Sequence, residues 1–192
     1  MTFDKNFDIL FTENDKRRIS MSNEYKDWLE DLKNAPIGSA DHKRWLLTEY
    51  PWLSMDESEA INYLDTEDST FIFVNEEDDN VFSYIDCAPE GWAKLCEDLC
   101  AEIKPLLERV GYEKEYSLCQ VKEKYGSLRW YDNGVPDEIL DEYNAIVRKY
   151  EELSFHTCCV CGAPATKVST GWICPFCDEC AKEINGTFKE IE

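Results

Sequence analysis

The end of the chain contains two cysteine-rich stretches, Cys158-Cys159-Val160-Cys161-Gly162 and Cys174-Pro175-Phe176-Cys177-Asp178-Glu179-Cys180. The outer cysteines of the first stretch and the last two of the second give the spacing C-x2-C-x15-C-x2-C, which is typical of a four-thiolate zinc site. Two residues between thiols allow one tight turn to direct both sulfurs at a single ion. We therefore predict four ligands for Zn²⁺: Cys158, Cys161, Cys177 and Cys180.

The residues around these cysteines predict a small fold of their own. Gly162 supplies the backbone freedom that a tight turn often needs. Val168 and Trp172 flank the breaker pair Thr170-Gly171, which predicts a short β-hairpin. Asp178-Glu179 suits the first turn of a helix, where the helix dipole favours negative charge. A turn, a hairpin and a helix that carries the last two ligands describe a treble-clef-like zinc finger.

Two additional thiols, Cys159 and Cys174, leave the ligand set open. Cys174 with Cys177 is also C-x2-C, but this pairing shortens the gap to Cys161 and leaves Cys180 without a role, so it ranks second. The other alternative is that these residues are buried thiols or disulfides. A closed four-cysteine site has no coordination position for water or substrate, so it predicts a structural metal.

The composition is that of a folded chain. Of 192 residues 43% are hydrophobic, with six Trp, ten Tyr and nine Phe, which is enough for a core. The first residues show no signal-peptide pattern and no run reaches the length of a membrane span, so we expect a soluble cytosolic protein. In a reducing compartment, ten cysteines indicate metal binding and free thiols.

The net charge is strongly negative: 41 acidic residues against 20 basic ones give −21 at pH 7. Affinity for phosphates comes largely from Lys and Arg, so this charge disfavours direct nucleic-acid binding. The expected partners are basic proteins.

Acidic residues are concentrated between Leu53 and Leu99, where there are fourteen of them against one base, Lys94. The β-rich runs 70–74 and 81–85 predict a hairpin with an acidic tip at 75–80. The tip is a solvated loop that keeps an edge strand soluble, a partner-binding surface or a calcium site, the last ranked lowest because the stretch lacks the spaced ligands and closing Glu of a calcium loop. We predict an acidic partner-binding face formed by Asp65, Glu67, Asp68, Glu76, Glu77, Asp78 and Asp79.

Periodicity predicts the remaining elements. Helical spacing is found from Ser22 to the breaker at 34–36 and then over 41–49, 92–110 and 136–155. In the helix at 92–110 we expect Pro105 to bend or break the helix and Gly111 to cap its end. Cys96 and Cys100 on this helix are predicted to be packed thiols. Residues 116–131 predict two strands around a turn at 124–127.

The predicted fold class is therefore α+β, with a small antiparallel sheet, packed helices and the C-terminal zinc finger. We divide the chain into a helical N-terminal segment at 1–53, an acidic α+β core at 54–155 and the zinc finger at 156–192.

Several motifs in the second half of the chain occur together. Residues 90–95 read EGWAKL, residues 120–131 read QVKEKYGSLRWY, and the cysteine segment contains CGAP at 161–164 and GWI at 171–173. Over residues 88–182 these motifs resemble a family of small uncharacterised proteins of phages and prophages. The position of Cys174 is usually not a cysteine in that family, which favours the first ligand set. The resemblance implies a phage setting, and hence the host cytoplasm, but no activity.

The sequence contains little that indicates catalysis. His42, on a charged helix, is expected at the surface, and His156 is expected to be exposed or beside the metal ligands. A zinc-embedded His-Asn-His nuclease would need a histidine within 163–176, which has none. The chain also lacks a Gly-rich phosphate loop, a nucleophile elbow and a metal-binding His-Glu pair. We expect that the protein is not an enzyme.

Three functions are compatible with these features. The first is a zinc-binding interaction protein whose acidic face mimics nucleic acid and inhibits a nucleic-acid-dependent defence system by binding a basic host protein. The second is a phage accessory or assembly protein that binds through Trp and Tyr surfaces. The third is a hydrolase that uses clustered carboxylates and a divalent ion.

Overall fold

The computed structural model describes residues 22–55 and 83–191. The chain divides into two compact units, Met1–Ser83 and Tyr84–Glu192, which we call the N-terminal and C-terminal units. The three-part division into 1–53, 54–155 and 156–192 stays a prediction. All seven carboxylates of the predicted acidic face lie outside the described residues: Asp65, Glu67, Asp68, Glu76, Glu77, Asp78 and Asp79.

The described part of the N-terminal unit is helical. It comprises α1 (Ser22–Lys33), α2 (Ala40–Glu49) and a 3-10 helix at Pro51–Leu53. Both predicted helices are confirmed. Ser39 caps α2, and its Oγ accepts a hydrogen bond from the His42 backbone N–H at 3.2 Å.

The prediction that His42 lies at the surface is wrong. Its side chain is only 3% exposed, and its ring centroid lies 5.3 Å from that of Trp45. Residues three apart share a helix face, so His42 follows Trp45 into the apolar side of α2. The charged residues Asp41, Lys43 and Arg44 hid this periodicity in the sequence.

The C-terminal unit contains the remaining elements. Its 3-10 helices are Tyr84–Cys87 and Glu90–Trp92, and its α-helices are α3 (Ala93–Val110), α4 (Asp137–Phe155) and α5 (Asp178–Glu183). Its strands are β1 (Leu118–Lys124), β2 (Ser127–Asp132), β3 (Lys167–Ser169), β4 (Pro175–Phe176) and β5 (Phe188–Glu190). Five α-helices and two small antiparallel sheets in the described residues confirm the α+β class.

Two predictions near these elements need correction. Residues 84 and 85, expected at the end of a strand, belong to a 3-10 helix instead, and Ser83 forms an isolated bridge with Ser54. Pro105 does not break α3, which continues to Val110. Pro105 is exposed, while Leu99, Ile103 and Leu107 on the buried face hold the helix against its neighbours. No helix in the described ranges combines the length and apolar character that crossing a membrane requires.

The β1–β2 hairpin forms where the sequence predicted it. Tyr125 and Gly126 both have positive φ, 56° and 82°, which is the backbone of a two-residue type I′ turn. The register places Val121 opposite Trp130, and both side chains are buried. Helix α4 packs against both α3 and β2, so hairpin and helices share one core.

A chain of buried hydroxyl groups fixes β2 to α4. The Trp130 Nε1–H donates to Tyr116 Oη at 2.9 Å, and the Tyr116 and Tyr143 hydroxyls are hydrogen-bonded at 2.7 Å. Tyr143 Oη donates in turn to Asp132. Burial raises the pKa of both tyrosines, so they stay protonated over the physiological range. This network has no signature in the sequence, because it joins side chains of β2, α4 and the segment before β1.

Replacing Ser154 by Ala is expected to destabilise the protein by about 1–3 kcal/mol. Ser154 is fully buried, and its Oγ accepts the Leu128 N–H at 2.7 Å while donating to Glu151 O at 2.6 Å. The substitution leaves the Leu128 N–H buried without this acceptor, which outweighs the better helix propensity of Ala. Chemical denaturation gives the free energy of unfolding. The exposed Ser117→Ala is the control, expected to change stability by less than about 0.5 kcal/mol; equal effects of the two substitutions would contradict the prediction.

Candidate metal centre

The first cysteine pair lies in a tight turn after α4. The Gly162 N–H donates to Cys158 O at 3.0 Å, and the Cys158 N–H donates to Ala163 O at 2.7 Å. Gly162 has φ +75°, a conformation that favours glycine. The predicted role of Gly162 in the turn is therefore confirmed.

The second pair lies at the start of α5. Strands β3 and β4 form the predicted antiparallel hairpin, with Lys167 opposite Phe176. Cys177 is the N-cap of α5, and its Sγ accepts the Cys180 N–H at 3.4 Å. The turn, hairpin and helix thus occur in the predicted order. Strand β5, which pairs with β3, was not predicted, because a single apolar residue, Phe188, between polar ones gives no strand pattern.

The structure brings the four predicted ligands together. The Sγ atoms of Cys158, Cys161, Cys177 and Cys180 all lie within 4.8 Å of one another. Cys161 Sγ and Cys177 Sγ are 3.7 Å apart. A tetrahedral zinc ion with Zn–S bonds of about 2.3 Å separates its sulfurs by about 3.8 Å. The observed geometry fits such an ion, and the four cysteines could hold a metal.

The thiols of this group differ in burial and acidity. Cys158 and Cys177 are buried, Cys180 is half-buried and Cys161 is exposed. Burial alone would raise the pKa of Cys158, but hydrogen bonds from the backbone N–H groups of Cys177, Cys161 and Val160 bring this pKa down to about 7. Hydrogen bonds with the Cys177 and Cys161 thiols raise the pKa of Cys180. A divalent ion would therefore have to displace protons from the less acidic thiols as it binds.

Cys159 and Cys174 lie outside this group. Both are buried, and the Cys159 thiol donates a hydrogen bond that lowers the pKa of Cys174. Their backbones are also tied: Cys159 N–H donates to Pro175 O and Cys174 N–H to Ser169 Oγ, each at 2.9 Å. The group that could hold a metal contains Cys180 and not Cys174, so the second-ranked ligand pairing is not the one that the structure assembles.

The turn that contains Cys158 and Cys161 packs against Glu90–Trp92, the 3-10 helix just before α3. The Gly91 N–H donates to Cys159 O at 3.0 Å, and the Trp92 Nε1–H donates to Thr157 O at 2.9 Å. Trp92 is fully buried. A Cβ placed on Gly91 would lie 2.2 Å from Cys158 O. Gly91 could not be predicted as part of the site, because nothing local in EGWAKL indicates that another backbone segment passes so closely.

Cys96, Cys100 and His156 lie outside the four-cysteine group. Cys96 and Cys100 are fully buried in α3, which confirms them as packed thiols, and burial raises the pKa of Cys96 to about 12. His156 is exposed, as expected, and its backbone carbonyl accepts the Ala165 N–H at 2.8 Å.

No protein-family model, curated protein or solved structure matches the chain. The resemblance to phage and prophage proteins and the location in a host cytoplasm therefore stay predictions. The structure shows an α+β chain with a four-cysteine group that could hold a metal ion.

Proposed function

We propose that the protein is a zinc-binding interaction protein that acts by binding a partner and not by catalysis. The supporting observation is the group of four Sγ atoms within 4.8 Å, with two of them separated by a distance that fits tetrahedral zinc. Such a site supplies a structural cross-link and offers no open position for a substrate. Cys158 and Cys161 connect to the end of α4, while Cys177 and Cys180 hold the start of α5.

The proposed partner is a basic host protein that binds nucleic acid. The support comes from the charge of the chain, −21 at pH 7, and from the fourteen acids against one base between Leu53 and Leu99. A dense row of carboxylates resembles the charge of a nucleic-acid backbone, and opposite charge speeds association with a basic groove. In the phage setting that the resemblance implies, this protein would inhibit a nucleic-acid-dependent defence system of the host.

Neutralising the acidic tip tests this function. Glu76, Glu77, Asp78 and Asp79 are replaced together by their amides, and binding to a basic host protein captured by pull-down is measured at two salt concentrations. We expect affinity to fall about tenfold or more and its salt dependence to flatten, because charge pairs across the interface are lost.

A matched control changes the same amount of charge elsewhere. Glu138, Asp141, Glu152 and Glu183 are exposed residues of α4 and α5, and their amides also raise the net charge by four. We expect these substitutions to leave affinity within about twofold, because they keep the carboxylates at 76–79 and change only the net charge, whose long-range effect is screened by salt. Equal effects of the two sets would contradict a localised acidic binding face.

A second candidate function has its own observation. Trp172 and Tyr125 are 79% and 70% exposed. The Trp172 Nε1–H donates to Glu123 Oε2 at 3.1 Å, so the tips of the β1–β2 and β3–β4 hairpins lie side by side. Exposed Trp and Tyr are enriched among the residues that dominate binding energy in interfaces. This arrangement favours an accessory or assembly protein that binds through aromatic side chains.

A further inference from the structure

Trp172 is exposed but firmly positioned. Its backbone carbonyl accepts the Ser169 hydroxyl, and the Ser169 Oγ accepts the Cys174 N–H at 2.9 Å. The neighbouring Thr170 N–H donates to Thr187 O at 2.9 Å. These bonds fix the turn, so a partner that contacts the indole has little backbone entropy to remove.

Glu123 orients the indole ring. One carboxylate oxygen accepts the Trp172 Nε1–H at 3.1 Å, and the other accepts the Gly126 N–H at 2.6 Å. The two hairpin turns also touch, since a Cβ on Gly126 would lie 3.0 Å from Ile173 Cγ2. The polar atom of the indole is thus satisfied within the protein, and the ring remains available to a partner.

The two exposed tyrosines of the β1–β2 hairpin already have cations beside their rings. Lys124 Nζ lies 5.5 Å from the Tyr125 ring centroid, and Lys122 Nζ lies 5.4 Å from that of Tyr131. Within residues 22–55 and 83–191, no Lys or Arg lies over Trp172, although indole binds cations best of the aromatic side chains. Its immediate polar neighbour is a carboxylate, and the chain as a whole carries −21.

We propose that Trp172 and Glu123 form a docking site for an arginine side chain on a basic partner. The guanidinium plane stacks on the indole, and its N–H groups reach the Glu123 carboxylate. Arginine fits better than lysine, because only a planar, delocalised cation can stack and form directed hydrogen bonds at once. This inference rests on the proposed function, because it assumes a basic partner. It adds that the partner presents an arginine side chain.

The test uses the zinc-loaded 192-residue chain and two labelled peptides, one with four arginines separated by glycines and one with lysines at the same positions. Binding is measured by fluorescence anisotropy at 0.15 M salt. We expect Trp172→Ala to weaken binding of the arginine peptide about five- to tenfold and of the lysine peptide by less than about twofold. Trp172→Phe and Glu123→Gln should each give an intermediate loss. Ile184→Ala, another exposed apolar residue of the same unit, should change neither affinity.

Several outcomes would overturn the assignment. Unchanged arginine-peptide affinity in Trp172→Ala would remove the site, and equal losses for both peptides would remove the preference for arginine. Binding of a twelve-residue oligothymidylate that depends on Trp172 would assign the surface to nucleic acid instead. Zinc content, measured on every variant, confirms that each one is folded. If the amides at 76–79 do not change partner binding, the proposed acidic binding face is wrong. The docking site is still supported in that case if Trp172→Ala weakens binding of the arginine peptide more than that of the lysine peptide.

Discussion

Cys158→Ser is expected to abolish metal binding and to unfold the C-terminal segment from residue 156 onward. The elements there are too short to persist alone: β3 and β5 have three residues each, β4 has two and α5 has six. Zinc binding in a four-thiolate site contributes about 10–16 kcal/mol, which is comparable with the whole net stability of a domain, about 5–15 kcal/mol. Loss of one buried ligand should therefore lower the melting temperature by about 10 °C or more.

The measurements are zinc per chain by mass spectrometry and hydrogen exchange over residues 156–191. The chain offers a matched control in Cys119→Ser, since Cys119 is exposed and outside the four-cysteine group. This control should keep one zinc per chain and an unchanged melting temperature. Removing zinc from the native protein with a strong chelator should reproduce the exchange pattern of Cys158→Ser.

Cys174→Ser distinguishes the ligand set that contains Cys180 from the alternative that contains Cys174. It should retain zinc, because Cys174 does not belong to the group of close Sγ atoms. Loss of zinc in Cys174→Ser with retention in Cys180→Ser would instead establish the alternative pairing. Native protein with clearly less than one zinc per chain, and with Cys158→Ser as stable as the native chain, would show that the four cysteines are free thiols without a metal.

The features that the sequence predicted correctly depend on residues that are close together along the chain. Ligand spacing is local, so the two cysteine pairs and the helix at Cys177 could be read directly. The same holds for the Tyr125-Gly126 turn, where the flanking strand patterns and a glycine specify a hairpin. The α3 cap at Gly111, with φ +68°, is another local signal.

The features that the sequence did not predict depend on distant contacts. His42 is buried because of what α2 packs against, which its charged neighbours conceal. Pro105 is tolerated because the opposite face of α3 is held by core residues, so the lost hydrogen bond does not end the helix. The contact of Gly91 with the Cys158–Gly162 turn joins segments about seventy residues apart, and no pattern of period two or 3.6 encodes it.

Gly91→Ala is the second substitution expected to have a large effect. The added Cβ would lie 2.2 Å from Cys158 O, 2.7 Å from Gly162 N and 2.8 Å from Cys159 C. All three are backbone atoms, so relief requires moving the whole turn away from Glu90–Trp92. That movement also breaks the Gly91 N–H bond to Cys159 O. We expect destabilisation of about 3 kcal/mol or more, at the upper end for a single substitution.

The same displacement should weaken the metal site, because Cys158 lies in the turn that has to move. Zinc affinity, measured by competition with a chelator, is therefore expected to fall together with the free energy of unfolding measured in denaturant. Gly171→Ala is the matched control: it adds the same methyl group where no atom lies within 4 Å, and it should change stability by less than about 1 kcal/mol. If both variants unfold at the same denaturant concentration and bind zinc equally, the turn does not pack on Gly91 as the structure has it. If only Gly91→Ala loses both stability and zinc affinity, the Cys158–Gly162 turn is part of the core of the C-terminal unit.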